Sequence, residues 1–79
     1  MRVLLFARAR ELAGAEALEI NLPPRATVAD LRVALAKQCE RIAKLVERSA
    51  IAVNNEYAAD ATPVPAGAEV AVLPPVSGG

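Results

Sequence analysis

The sequence predicts an α+β fold, in which a small mixed sheet packs against one main amphipathic helix. Apolar-rich segments with a period of two occur near both ends of the chain, and a long apolar stripe with helical spacing lies between them. The 79 residues are 54% hydrophobic but include only one Phe, one Tyr and no Trp. A single domain with a small aliphatic core is therefore expected.

The chain is predicted to begin with a strand. The segment RVLLFAR, residues 2–8, is apolar between two arginines, and strand alternation places Val3 and Leu5 on one face and Phe6 on the other. The segment ARELAG then forms a turn or a single helical turn. Gly14 suits the left-handed residue that closes it.

A second strand and the helix follow. Residues 15–23 alternate, with Leu18 and Ile20 facing inward, so the first two strands can form an antiparallel hairpin. Thr27 is a plausible N-cap, and Asp30 three residues later completes a variant of the capping box. Six residues with helical spacing extend one apolar stripe: Val28, Leu31, Leu35, Cys39, Ile42 and Val46. This spacing fits one helix or two.

The last third of the chain predicts further strands and turns. A third strand begins at Ser49, and the Asn54–Asn55 pair tolerates the positive φ of a tight turn before a short return strand, EYA. Pro65 and Gly67 fit positions i+1 and i+3 of a type I turn. The segment AEVAVLP forms the last strand. If it lies beside the first strand, the elements form a roll of the β-grasp kind.

Charge and hydropathy exclude several classes of function. Nine basic and nine acidic residues cancel, and no basic face for a nucleic acid or an anionic membrane stands out. No apolar run approaches the roughly 20 residues of a membrane span. The apolar segment VLLFA is shorter than the core of a secretory signal. A cytoplasmic location is expected, without nucleic acid or membrane as a partner.

Residue counts also exclude conventional active sites. The chain has one cysteine, Cys39, and no histidine, so a disulfide, a metal site and a Ser–His or Cys–His pair are not expected. Cys39 is interpreted as a buried structural thiol. No glycine-rich loop opens a helix to hold a phosphate. Function is therefore expected from a surface or from a chain end, with no cofactor bound.

The outward positions of the strands predict an exposed apolar patch, which is typical of a protein-interaction site. The patch is expected to contain Leu4, Phe6, Ala71 and Leu73, with Tyr57 nearby. The alternative is a sheet covered on both faces, or scattered surface apolar residues without a function.

The C-terminus is predicted to be an extended tail, residues 74–79, that follows a domain of residues 1–73. The tail consists of Pro74, Pro75, Val76, Ser77, Gly78 and Gly79. Prolines cannot donate strand hydrogen bonds and favour an extended backbone. The tail can reach at most roughly 20 Å. Because glycine lacks a Cβ, such a tail can deliver the main-chain carboxyl of Gly79 through a narrow channel of another protein.

Four stretches of the sequence resemble a known family: VLLFARARELAG, ATVADLRVAL, AVNNEYA and PAGAEVAVLPPVSGG. The chain resembles the small subunits of molybdopterin synthase, which are ubiquitin-like sulfur carriers, over essentially its whole length. The resemblance implies a β-grasp fold, with a mixed sheet of four to five strands on one main helix. It also implies a break in the helical stretch near Gln38–Arg41, and hence a short second helix.

The resemblance also implies a function and its residues. An activating enzyme would use ATP to adenylate Gly79, whose carboxyl would become a thiocarboxylate and donate sulfur to cyclic pyranopterin monophosphate. Gly78 would give clearance. Phe6, Tyr57 and Leu73 would contact the partners. The catalytic groups would lie in the large subunit, within an assembly of two small and two large subunits.

Three other functions stay open at the level of sequence. The chain could be a sulfur carrier for thiamine synthesis or for transfer-RNA thiolation. It could be a protein modifier whose Gly79 forms an isopeptide bond with lysines. It could also be an interaction domain with an inert tail.

Overall fold

The computed structural model describes residues 1–75, which form a five-stranded sheet with helices on one face. The strands are β1 (Arg2–Leu5), β2 (Ala17–Glu19), β3 (Ala50–Val53), β4 (Glu56–Ala58) and β5 (Val70–Leu73). The helices are α1 (Ala7–Ala13), α2 (Val28–Gln38) and α3 (Ala43–Arg48), and a 3-10 helix (Glu40–Ile42) lies directly before α3.

The strand order confirms the predicted β-grasp roll. The sheet runs β2-β1-β5-β3-β4, so the last strand lies at its centre. The first and last strands are parallel, with Leu5 opposite Val72, and the other neighbouring pairs are antiparallel. The predicted mixed sheet and the predicted hairpin of the first two strands are therefore confirmed.

The prediction of a first strand reaching Arg8 is wrong. The strand ends at Leu5, and the expected single helical turn is the helix α1 of seven residues. The chain turns at Ala7, which has a positive φ of 50°. Gly14 closes α1 with a φ of 69°, as predicted, and its N–H donates to the carbonyl oxygen of Arg10 at 3.0 Å.

The helical region contains two α-helices, as the resemblance implied. The capping box is confirmed: the Thr27 N–H donates to Asp30 Oδ2 at 2.9 Å, and the Asp30 N–H donates to Thr27 Oγ1 at 3.4 Å. α2 ends at Gln38 because Cys39 is extended, with φ −138° and ψ 92°. Cys39 is half-buried, whereas the other five residues of the predicted stripe are fully buried.

One of the two predicted turns is confirmed and the other is wrong. Asn54 and Asn55 have φ values of 51° and 67°, as required by a two-residue hairpin turn with positive φ at both positions. In the second turn the Ala68 N–H donates to the carbonyl oxygen of Pro65, and Gly67 has a φ of 77°. Pro65 is therefore at position i and Gly67 at i+2, the position at which a type II turn requires a positive φ.

The core lies between the inner face of the sheet and the helices. Its largest fully buried side chains are Ile20, Leu31, Leu35, Ile42, Ile51, Val3, Val28, Val46, Val70 and Val72. Alternation along the strands leaves the other face of the sheet without a helix. None of the helices within residues 1–75 combines the length and apolarity that crossing a membrane would require.

Candidate functional site

The uncovered outer face of the sheet carries a row of apolar side chains across four strands. Leu4 lies opposite Ala71, Ala71 lies opposite Ala52, and Ala52 lies opposite Tyr57. Residues paired in register point to the same face. The centre of the row is therefore a floor of two small alanines, with larger side chains at its ends.

This row forms part of a surface cavity, here called the outer-face cavity, with a volume of about 300 Å³. It is lined by Leu4, Phe6, Ala52, Asn55, Tyr57, Glu69, Ala71 and Leu73. The structure thus brings together Phe6, Tyr57 and Leu73, the three residues predicted to contact partners. Their role in binding stays a prediction.

Both aromatic side chains of the sequence are exposed at this cavity. Phe6 exposes 43% of its surface and Tyr57 exposes 79%. A comparably exposed aliphatic residue, Val33, lies on α2 and hence on the helical side of the domain. Aromatic side chains that stay outside an aliphatic core are typical of residues that anchor a protein–protein contact.

The cavity has a polar margin that sequence reasoning missed. The backbones of Asn54 and Glu69 are joined by a hydrogen bond, in which the Asn54 N–H donates to the carbonyl oxygen of Glu69 at 2.7 Å. The Glu69 N–H in turn donates to Asn54 Oδ1 at 3.0 Å. Glu69 precedes β5 and could have been found by extending the alternation back from Ala71. Asn55 and Ala52 follow from the register that the two-residue turn sets for β3 and β4.

The sheet ends where the predicted tail begins. On one side of β5 the last register pair is Leu5 with Val72, and β1 then gives way to α1. On the other side the last pair is Ala50 with Leu73, because β3 begins at Ala50. The neighbouring strands therefore stop opposite Val72 and Leu73, and Pro74 and Pro75 have no strand partner.

Two residues of the predicted tail are described by the structure. Pro74 is half-buried and Pro75 is exposed. Neither proline has an N–H with which to extend the ladder. The predictions for Val76, Ser77, Gly78 and Gly79 lie outside the described residues.

Exposed ion pairs lie on and beside α1, outside the lining of the outer-face cavity. Arg10 contacts Glu16 at 3.0 Å and Arg8 contacts Glu11 at 3.8 Å. Exposed pairs of this kind contribute about 0–1 kcal/mol to stability. In residues 1–75 no three Cys, Asp or Glu side chains gather closely enough to hold a metal ion. The arrangement of the outer-face cavity is suited to binding through apolar burial.

Three features define the class of protein: the strand order, the helices on one face of the sheet, and a chain that leaves the sheet from its central strand, β5. This is a ubiquitin-like β-grasp protein. The chain belongs to the ThiS family, whose model matches residues 3–79.

The chain is similar to sulfur carrier subunits over most of their length. It is 40% identical to the molybdopterin synthase sulfur carrier subunit of Escherichia coli K12, covering 100% of this chain and 99% of the relative. It is 35% identical to the subunit of the same name from Arabidopsis thaliana, covering 100% of this chain and 82% of that relative. The predicted resemblance to this family of sulfur carriers is therefore confirmed.

Solved structures agree with this assignment. Haloferax volcanii SAMP1 has a TM-score of 0.86 at 30% identity, covering 99% of this chain and 97% of its own. A putative molybdopterin converting factor subunit 1 from Pyrococcus furiosus has a TM-score of 0.84 at 36% identity, covering 95% of each chain. A chain in the complex of subunits 1 and 2 of the Helicobacter pylori molybdopterin-converting factor has a TM-score of 0.67 at 25% identity, covering 99% of this chain and 96% of its own.

Proposed function

We propose that this chain is the sulfur carrier subunit of a molybdopterin synthase and acts in molybdenum cofactor synthesis. One observation carries the proposal: the 40% identity to a sulfur carrier subunit spans 100% of this chain and 99% of that relative. The match to the family model likewise includes residues 76–79, since it extends from residue 3 to residue 79. The end of the sheet at Leu73 supports the same function, because it leaves Pro74 and Pro75 without strand partners.

The proposed sulfur-bearing group is the main-chain carboxyl of Gly79. A carboxylate is a poor acyl donor, so an ATP-dependent activating enzyme would join it to AMP and release pyrophosphate. A sulfur donor would then displace AMP and leave a thiocarboxylate. Transfer of that sulfur to cyclic pyranopterin monophosphate, with water supplying the oxygen that replaces it, would return the carboxylate. Gly78 would let the tail pass through a narrow channel, because it has no side chain.

The proposed binding surface for the large subunit is the outer-face cavity. Phe6, Tyr57 and Leu73 would be its main contacts, and Pro74 and Pro75 would lead the tail from the cavity toward the catalytic groups of the large subunit. The similarity to a chain in a complex of two molybdopterin-converting factor subunits supports this partner. The proposal includes an assembly of two small and two large subunits and a cytoplasmic location.

Intact-mass spectrometry tests the proposal. The full chain is incubated with ATP, a sulfide donor and a molybdopterin-type activating enzyme, and the mass should change by replacement of one oxygen with sulfur. A chain without Gly79 should fold normally but acquire no sulfur. A chain with one residue added after Gly79 should behave in the same way. Normal sulfur delivery by the truncated chain would overturn the proposal.

A second function, protein modification, is favoured by the similarity to small archaeal modifier protein 1. The H. volcanii protein of that name covers 95% of this chain at 29% identity, with a TM-score of 0.86. A modifier would form isopeptide bonds through Gly79, and these would appear in cells as conjugates of higher mass. Carriers for thiamine synthesis or transfer-RNA thiolation would instead be distinguished by the partner that co-purifies with the chain.

A further inference from the structure

A single charged residue, Glu69, is found among the residues that line the outer-face cavity. The rest of the lining is apolar apart from Asn55 and the hydroxyl of Tyr57. The side chain of Glu69 is exposed, and it also lines an adjoining groove together with Arg2 and Leu4. Glu69 therefore lies at the edge of the cavity, where the two depressions meet.

The backbone of Glu69 is fixed on both of its polar groups by Asn54. The carbonyl oxygen of Glu69 accepts the Asn54 N–H at 2.7 Å, and the Glu69 N–H donates to Asn54 Oδ1 at 3.0 Å. The next residue, Val70, is fully buried in the central strand β5. A partner protein would therefore meet this carboxylate on a backbone that needs no further ordering.

The part of the chain that the structure describes, residues 1–75, supplies no cation for the Glu69 carboxylate. This carboxylate takes part in none of the ion pairs or side-chain hydrogen bonds found there. By contrast Glu19, which shares the outer face in register with Arg2, is paired with the N-terminal ammonium at 3.4 Å. Arg2 lines the adjoining groove beside Glu69, but no ion pair joins the two side chains.

A partner that covers the cavity would remove water from the Glu69 carboxylate. An ionised carboxylate that loses its hydration is costly unless a positively charged donor replaces the water. Lysine and arginine can do so with charge-assisted hydrogen bonds, which are stronger than neutral ones. An apolar or acidic partner surface would be disfavoured at the same place.

We propose that Glu69 is a specificity-determining residue, which binds a lysine or arginine side chain of the partner protein at the edge of the outer-face cavity. The inference rests on the proposed function, because the partner is the large subunit of molybdopterin synthase. Burial of the apolar lining would supply most of the affinity. The single charge would select the partner and fix its orientation on the sheet.

The test compares Glu69→Gln with Glu56→Gln in the full chain. Glu56 is also exposed, but it pairs in register with Val53 and so points away from the face that carries Tyr57. Both variants remove one negative charge and keep the size of the side chain. Calorimetry with the large subunit should show the Kd rising about 5- to 20-fold for Glu69→Gln and staying within about 2-fold for Glu56→Gln.

Charge reversal and salt give a second readout. Glu69→Lys should raise the Kd by at least about 50-fold, because it places like charges together, whereas Glu56→Lys should have a much smaller effect. Added salt should weaken binding of the unmodified chain more than binding of Glu69→Gln, because salt screens the lost pair. The midpoint of thermal unfolding should stay the same in all four variants, since both glutamates are exposed.

A third comparison separates a cation of the partner from Arg2 of the same chain. The loss of affinity caused by Glu69→Gln should persist in an Arg2→Gln background, because the paired cation belongs to the partner. If the loss disappears in that background, Glu69 acts through Arg2 and the inference is overturned.

The outcomes also separate the inference from the proposed function. Equal Kd values or equal salt dependences for Glu69→Gln and Glu56→Gln would overturn the role of Glu69 and leave the proposed function intact. If the unmodified chain does not bind the large subunit, the proposed function is overturned, and the inference with it.

Discussion

The guanidinium of Arg32 donates a 2.8 Å hydrogen bond to the carbonyl oxygen of Ser49, the residue directly before β3. The same nitrogen donates to the carbonyl oxygen of Val46, and Nε donates to Asp60 Oδ1 at 2.9 Å. One side chain of α2 therefore satisfies two carbonyl oxygens at the end of α3 and holds a loop residue. Through Ser49 it also fixes the start of the strand that flanks the end of β5.

Arg32→Met should lower the free energy of unfolding by about 2–3 kcal/mol, because it removes a charged donor from the carbonyl oxygens of Ser49 and Val46, of which that of Val46 keeps only the N–H of Ser49 within residues 1–75. Arg32→Lys should lower the free energy of unfolding by a smaller but still measurable amount, because one ammonium group cannot reproduce the planar arrangement of the guanidinium donors. Urea denaturation measures both. The exposed Arg41 is the matched control, and Arg41→Met should change stability by at most about 0.5 kcal/mol. Equal effects at the two positions would contradict the structural role of Arg32.

Thr27→Ala should lower the free energy of unfolding by about 1 kcal/mol, because it removes the side-chain acceptor for the Asp30 N–H at the start of α2. Thr62→Ala is the control. The hydroxyl of Thr62 takes part in none of the hydrogen bonds found within residues 1–75. Thermal unfolding, monitored by circular dichroism, measures the loss of stability in each variant. An equally large loss in Thr62→Ala would contradict the capping role of Thr27.

Elements with a strong local signal could be predicted from sequence. The capping box of Thr27 and Asp30 and the Asn54–Asn55 turn each depend on residues close together in the chain, and both are confirmed. The end of the first strand depends instead on Ala7 in a conformation that alanine disfavours, and on the burial of Ala9. Local propensity does not indicate such a position, because tertiary packing determines it.

The residues of the candidate site also differ in how far the sequence alone predicts their positions. Alternation along β1 and β5 was enough to place Phe6 and Leu73 on the outer face. The neighbours of Tyr57 depend on which strands pair, and no local pattern determines that β5 lies between β1 and β3. Glu69 was missed for a different reason: alternation back from Ala71 places it on the outer face, where it lines the same cavity, but a single charged side chain there carries no apolar signal.

Tyr57→Ser should weaken binding of the large subunit by about 2 kcal/mol or more, which is roughly 30-fold in Kd. Tyr57 exposes 79% of its surface, so the free energy of unfolding should change by at most about 0.5 kcal/mol. Val33→Ser is the matched control, because Val33 is 55% exposed on the helical side of the domain. Calorimetric titration and urea denaturation measure the two quantities. A similar loss of affinity in both variants would place the contact elsewhere.

Filling the outer-face cavity should block the partner without unfolding the domain. Ala71 points outward from the central strand β5 and forms part of the cavity floor, so Ala71→Leu adds bulk where no core packing is disturbed. We expect at least a 10-fold rise in the Kd for the large subunit, roughly 1.4 kcal/mol, because a filled cavity loses shape complementarity.

The stability of Ala71→Leu should stay within about 1 kcal/mol of the unmodified chain, because the added side chain faces the surface. Ala36→Leu is the control, since Ala36 lines a groove on the helical side and leucine suits a helix. Ala36→Leu should leave the Kd unchanged. The opposite result would be that Ala71→Leu binds the large subunit as tightly as the unmodified chain does. In that case no side chain of the partner enters the cavity, and the contact with Tyr57 must form at the rim of the cavity. Sulfur transfer assayed with the same two variants then shows whether a blocked cavity also prevents delivery of the tail.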